Sequence, residues 1–309
     1  TDNGETWSKI KIVAQNGKDT AGNPAPVVDK DSGNVILLFC QNLAEGNETE
    51  ICRGKAPRTV WKTVSEDDGQ SWSPPEEITE QIKKPSWTWY ATGPGHGIQL
   101  ESGRLVVPCD HIVGEDFNRE TDPYHSHVIY SDDRGETWKI GGIIDRNTNE
   151  STMVETVNND LYINCRQLVT NKRAYAWSRD QGESFSEVKF SDTLIEPQCQ
   201  ASMIRYTTET DFDKNRILFS NPASRERKNL TVRISYNECK SWSQGKTLHK
   251  GPAAYSDLCI LSDNKIGCLY ENGEESPYER LTWARFDLQW LTEGRDSLKW
   301  VKVKKSELF

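Results

Sequence analysis

Apolar residues along this chain gather in short runs separated by Gly, Asn, Asp and Pro, with little of the three-to-four-residue recurrence of amphipathic helices. Val35-Ile36-Leu37-Leu38-Phe39, Arg104-Leu105-Val106-Val107-Pro108 and Leu230-Thr231-Val232-Arg233-Ile234 read as β-strands. Thr79 to Lys84 is a short helix candidate. The longest unbroken apolar stretch, Val35 to Cys40, is far shorter than the roughly 20 residues of a membrane-spanning helix, so no membrane span is expected.

One pattern repeats at long period: S-x-D-x-G-x-[TS]-W. Ser65 to Trp72 and Ser131 to Trp138 match fully, and Ser178 to Phe185 ends in Phe. Ser235 to Trp242 is degenerate, with Asn237 for the Asp and Cys239 for the Gly, and Thr1 to Trp7 is a copy without its opening Ser. The motif has hairpin-turn chemistry: Asp takes backbone N–H groups of its own turn, Gly supplies a positive φ, and Trp packs on the adjoining strand. Asp2, Asp67, Asp133, Asp180 and Asn237 are therefore expected to be structural. Strand blocks that each carry one such turn predict an all-β chain folded as a β-propeller, against the alternative of two stacked β-sandwiches.

The 309 residues carry 47 Asp+Glu against 38 Lys+Arg, a net charge of -9. That balance argues against a nucleic-acid partner and leaves anion binding to a small cluster of Arg. The 8 Cys include no C-x-x-C pair, so neither a metal site nor a cofactor is expected. Free buried thiols are the main expectation, with Cys40 and Cys52 the candidates for a disulfide. N-x-S/T sequons at Asn47, Asn149 and Asn229 point to a secreted or lumenal compartment.

The repeats are Asp-boxes, and the chain resembles the sialidases over nearly its whole length. Ala91 to Leu100, Met153-Val154-Glu155 with Asn164-Cys165-Arg166, Gln198 to Ser202, Phe219 to Ala223 and Ala254 to Leu258 carry the likeness. The resemblance implies one six-bladed propeller domain over residues 1–309 that removes terminal sialic acid from sialylated glycans. Sialic acid bears a carboxylate on its anomeric carbon, so a carboxylate nucleophile would approach against like charge, and sialidases use Tyr instead. A phenol needs a base to take its proton.

By resemblance Tyr255 is the nucleophile and Glu155 its base, while Arg166 and Arg227, with Arg225 as the alternative to Arg227, hold the substrate carboxylate. Gln200 is expected at the glycerol side, with Trp87, Trp89, Tyr90 and His96 forming a wall near the N-acetyl group. Glu271 would orient the first arginine of the family's triad. Arg53, Arg58, Arg104 and Arg233 are read as surface or inter-strand charges. Without the surrounding motifs, Tyr255 reads as a core tyrosine and Glu155 as a solvated strand residue.

Against the family pattern, the upstream Arg-Ile-Pro arginine and the general-acid Asp have no counterpart, because the sequence starts inside the first box. A missing N-terminal segment, incomplete first and last blades, and weak or absent activity are therefore expected. The alternative from another class is a lectin-like propeller that binds sialic acid without turnover.

Overall fold

The computed structural model describes residues 2–114 and 124–301, with the side chains of residues 145 and 146 left aside. Among them the predicted runs are strands of four antiparallel sheets. The first sheet holds β1 (Thr20–Val28), β2 (Val35–Asn42), β3 (Arg58–Ser65) and β4 (Glu76–Glu77). The second holds β5 (Trp87–Thr92), β6 (Ile98–Gln99), β7 (Leu105–Val113), β8 (His125–Ser131) and β9 (Lys139–Arg146). The third holds β10 (Thr148–Glu155), β11 (Leu161–Gln167), β12 (Lys172–Ser178) and β13 (Lys189–Ile195). The fourth runs through β14 (Ser202–Thr207), β15 (Arg216–Pro222), β16 (Lys228–Ser235), β17 (Lys246–Ile260), β18 (Ile266–Asn272) and β19 (Arg280–Phe286).

Apolar layers join successive sheets, which makes the arrangement propeller-like. Val27, Leu38, Val107 and Ile129 pack between the first two sheets. Val106 and Val128 meet Leu161 and Ile163 between the second and third, and Val154 and Tyr162 meet Met203 and Phe219 between the third and fourth. A strand covered on both faces reads as a continuous buried run rather than as an alternation, as β7 and β10 do. The leading strands are also laced together by side chains: Met203 N–H donates to Thr152 Oγ1 at 3.0 Å and Leu258 N–H to Ser202 Oγ at 3.0 Å.

The expectation of six blades is corrected to four sheets among the described residues. The 15-residue β17 explains the long fourth sheet. Its first half pairs with β16 and its second half with β18, so hydrogen bonding continues where a separate blade was expected. Asp2 to Trp7 of the first copy of the turn lie on the far part of this sheet, with Trp7 edge-on to Trp283 at 5.7 Å and Glu5 paired with Arg285 at 2.9 Å.

The repeated turns have the expected construction. Asp133 accepts from Ser131 Oγ at 2.7 Å, Thr137 N at 2.9 Å and Thr137 Oγ1 at 2.6 Å, while Gly135 N–H donates to Ser131 Oγ at 2.7 Å. Asp67 and Asp180 repeat the arrangement, Asp2 keeps its bonds to Thr6, and Asn237 replaces the carboxylate with an amide that bonds Ser241. Gly135 stands at φ 88°, and in the degenerate copy Cys239 is forced to φ 62°, a conformation that favours glycine.

Three further readings change. No disulfide joins any of the eight cysteines; Cys40 lies in the core of the first two sheets and Cys52 in a separate cluster with Ile112 and Tyr124, so the pair is not bridged. Asn149 is only 7% exposed, which removes its sequon from the surface. Of the two readings of Arg58 the surface one falls and the inter-strand one stands: the residue is buried, its guanidinium donates to Asn42 on β2 and stacks 4.3 Å over Trp89, and its Nε–H donates to the Tyr90 carbonyl. No helix among the described residues is long and apolar enough to cross a membrane.

Candidate active site

The β10–β11 hairpin sets the geometry. Its turn is closed by the Thr156 N–H on the Asp160 carbonyl at 2.9 Å, with Asn159 at φ 61°. From that turn the register runs Glu155↔Leu161, Met153↔Ile163 and Ser151↔Cys165, which brings Glu150 beside Arg166 at the opposite end from Glu155. Arg166 Nη1 donates to Glu150 Oε2 at 2.8 Å. The second half of β17 brings Tyr255 to the same place: its hydroxyl donates to Glu150 Oε1 and lies 3.4 Å from Arg166 Nη1.

This corrects the expected partner of Tyr255 from Glu155 to Glu150. Five residues of strand separate the two positions by about 16 Å. Glu155 instead accepts the Glu101 N–H at 2.8 Å, and its backbone carbonyl takes Arg205. Its carboxyl is raised by burial. Glu150 is only 7% exposed, so the hydrogen bonds from Tyr255 and Arg166 are what make its burial tolerable.

Burial, reinforced by the Glu150 charge and opposed by Arg166, pushes the Tyr255 phenol well above its ordinary value. Tyr255 is thus a neutral phenol with a carboxylate in position to receive its proton. Arg166 Nε is buried and has no hydrogen-bond partner among the described residues, so this guanidinium has donor capacity unused by the protein.

Arg227, at the turn before β16, points its guanidinium carbon to 5.6 Å from the Tyr255 ring. Its Nη1 donates to Tyr278 Oη at 2.5 Å and its Nη2 to the Gln198 carbonyl at 3.0 Å. Glu271 on β18 accepts the Tyr255 backbone N–H at 3.1 Å, which fixes the strand that carries the phenol. Gln200 does the same one residue on, accepting the Ser256 N–H at 3.1 Å.

His96 is at 2.8 Å from Asp257, an ion pair whose aspartate also accepts from Ser202 Oγ at 2.8 Å. Burial pulls the His96 pKa down, yet Asp257 raises it overall. The aromatic residues expected in a wall differ in burial. Trp87 is buried and stacks on His111 at 3.6 Å, and Tyr90 is wholly buried with its hydroxyl 3.1 Å from His127. Trp89 remains half-buried, its indole N–H donating to Asp110 Oδ1 at 2.9 Å.

Asp110, like Glu150, was not apparent in the sequence. It is 1% exposed, and burial together with the Glu150 charge raises its carboxyl to about 8, against the pull of Trp89, Arg166 and Arg58.

A BNR repeat-like domain family matches residues 1–268. Sialidase-3 of Mus musculus is 32% identical over 85% of this chain and 75% of its own length. The exo-alpha-sialidase of Aspergillus fumigatus is also 32% identical, over 93% of this chain and 73% of its own. The chain belongs to the sialidase family. Among solved structures, the Hadza microbial sialidase Hz136 superposes with a TM-score of 0.83 at 30% identity, covering 94% of this chain and 58% of that one. An intramolecular trans-sialidase from Ruminococcus gnavus shares the fold, with a TM-score of 0.75 at 19% identity. Membership makes this sialidase chain a glycoside hydrolase by class, and it gives the Tyr255–Glu150–Arg166 cluster a chemical context.

Proposed function

We propose that the chain acts as an exo-α-sialidase, cleaving terminal α-linked sialic acids from glycoconjugates with retention of configuration. The observation that carries this reading is the buried contact of Tyr255 Oη with Glu150 beside the Arg166 guanidinium. Arg166 and Arg227 would bind the substrate carboxylate as fixed cationic donors. Tyr255 Oη would attack the anomeric carbon: the phenolic C–O bond forms, the glycosidic C–O bond breaks, and the phenolic proton passes to Glu150. The leaving oxygen takes a proton from water or an acid. Water then attacks the same carbon and the bond to the phenolic oxygen breaks; protonated Glu150 returns its proton to the departing phenolate, the proton of the attacking water restores the acid or water spent on the leaving oxygen, and sialic acid leaves with Tyr255 and Glu150 both restored.

Neutral Tyr255 suits this role because the attacking oxygen itself carries no negative charge until its proton has begun to move. Hydrolysis of a fluorogenic α-sialoside by the 309-residue chain tests the reading. Release of the fluorophore, abolished by Tyr255→Phe, supports it. Binding of the sugar with no release would mark a sialic-acid-binding propeller, and neither binding nor release would refute both.

A further inference from the structure

We propose that Tyr278, on the loop between β18 and β19, is a positioning residue for the carboxylate-binding arm of the site. The proposal rests on the functional reading above. Arg227 would otherwise be a long, flexible side chain at the rim. Instead its two terminal nitrogens are both engaged: Nη1 with Tyr278 Oη at 2.5 Å and Nη2 with the Gln198 carbonyl at 3.0 Å. The guanidinium carbon lies 5.6 Å from the centre of the Tyr255 ring and 5.9 Å from that of Tyr278. The cation is thus held between the proposed nucleophile and an aromatic residue that is itself 60% exposed.

The loop that presents Tyr278 is built for that purpose. The Glu279 carboxylate accepts the N–H groups of Glu274 at 3.1 Å, Glu275 at 2.9 Å and Ser276 at 2.7 Å, clasping the turn. Gly273 N–H ties the loop to the Pro252 carbonyl on β17 at 3.1 Å. A Cβ at Gly273 would come within 1.9 Å of the Ser276 carbonyl oxygen, so the turn closes around a residue with no side chain. One hairpin therefore sets two parts of the site: Glu271 holds the backbone of Tyr255, and Tyr278 holds Arg227.

The Tyr278 hydroxyl accepts from a cation, and no acceptor for its own proton is found among the described residues. Fixing a guanidinium before binding removes part of the entropy cost of capture. It acts on ground state and transition state alike, and so on KM rather than kcat.

The test is titration calorimetry with the 2,3-unsaturated analogue of sialic acid, alongside steady-state kinetics on a fluorogenic sialoside. Tyr278→Phe is expected to weaken analogue binding and raise KM by about 10- to 150-fold, the effect of one hydrogen bond to a charged group, with kcat within about 2-fold. Tyr278→Ala should weaken binding further, and Glu279→Gln, which loosens the loop with Tyr278 intact, should do so in the same direction but less. In an Arg227→Ala background the Tyr278→Phe change should lose its effect, because the two residues act as one unit. Unchanged binding and KM in both Tyr278 variants, a loss confined to kcat, or full additivity with Arg227→Ala would overturn the inference while leaving the sialidase reading standing. If the unsubstituted chain neither binds the analogue nor turns over, the reading beneath it fails and the inference with it.

Discussion

The repeated turns and the Tyr255 cluster use the same parts, carboxylates, hydroxyls and N–H donors, in opposite ways. Asp133 closes its turn on Thr137, four residues away and at the surface. Glu150 reaches Arg166 across 16 residues and Tyr255 across 105, and all three are largely buried. A turn of the first kind is closed by groups within eight consecutive residues. A cluster of the second kind exists only when strand register and sheet packing are both right, so a one-residue slip in β10 would turn Glu150 to the opposite face. The turns thus bear on stability, and the cluster bears on chemistry.

The largest expected effect separates the two carboxylates of β10. Glu150→Gln should lower kcat on a fluorogenic sialoside by about 10²- to 10⁴-fold, the usual contribution of a general base. Glu155→Gln, which changes a side chain bonded to the Glu101 backbone, should leave kcat within about 3-fold of the parent. Equal losses would erase the distinction between cluster and surroundings.

A second effect concerns pH, where the two kinds of carboxylate have opposite signs. Asp110 in the buried cluster is raised to about 8, so between about pH 4 and 8 the folded chain keeps a proton that the unfolded chain has lost. Stability from this group therefore falls as pH rises through that window. Asp67 in its turn is lowered to about 2, chiefly by the Ser71 hydroxyl and N–H; its contribution is present above about pH 4 and is lost as pH falls toward 2. Denaturant midpoints at pH 5 and pH 8 check the first sign: Asp110→Asn should gain on the parent chain as pH rises. A gain of equal size at both pH values would show that Asp110 is ionised throughout.

Smaller effects belong to the turns alone. Asp133→Ala removes three accepted bonds and should cost about 0.5–2 kcal/mol by chemical denaturation with kcat unchanged. Asn237→Ala, which removes a neutral amide in the degenerate copy, should cost less, about 0.5–1 kcal/mol. A fall in kcat without a fall in stability, at either turn, would mean that the turns act on the site after all.

The same contrast explains what could be read without coordinates. The turns were legible, since the Ser, Asp and Thr bonds that close each one lie inside the eight-residue pattern, and so were the strand runs. Tyr255, Arg166 and Arg227 were legible through the segments around them, and the structure brings all three together with Glu271 close by. Glu150 was missed although a signal existed. Val157-Asn158-Asn159-Asp160 marks a turn, and counting outward with Glu155 opposite Leu161 sets position 150 opposite 166. Asp110 had no such signal: its raised pKa comes from burial and from Glu150 on another sheet, and no local pattern records which sheets meet. The sheet count failed for a related reason, because nothing in the residues of β17 shows that its two halves serve different neighbours.

The central claim, that Tyr255 attacks with Glu150 as its base, is tested most directly by trapping the covalent adduct with a 3-fluorinated sialyl fluoride and mapping it by mass spectrometry. Fluoride departs without needing a proton, so the assay reports on the attacking pair alone. The account predicts one adduct, on the peptide containing Tyr255, formed at least about 10²-fold more slowly in Glu150→Gln and at the parent rate in Glu155→Gln. An adduct on another residue, or equal slowing by the two substitutions, would contradict it.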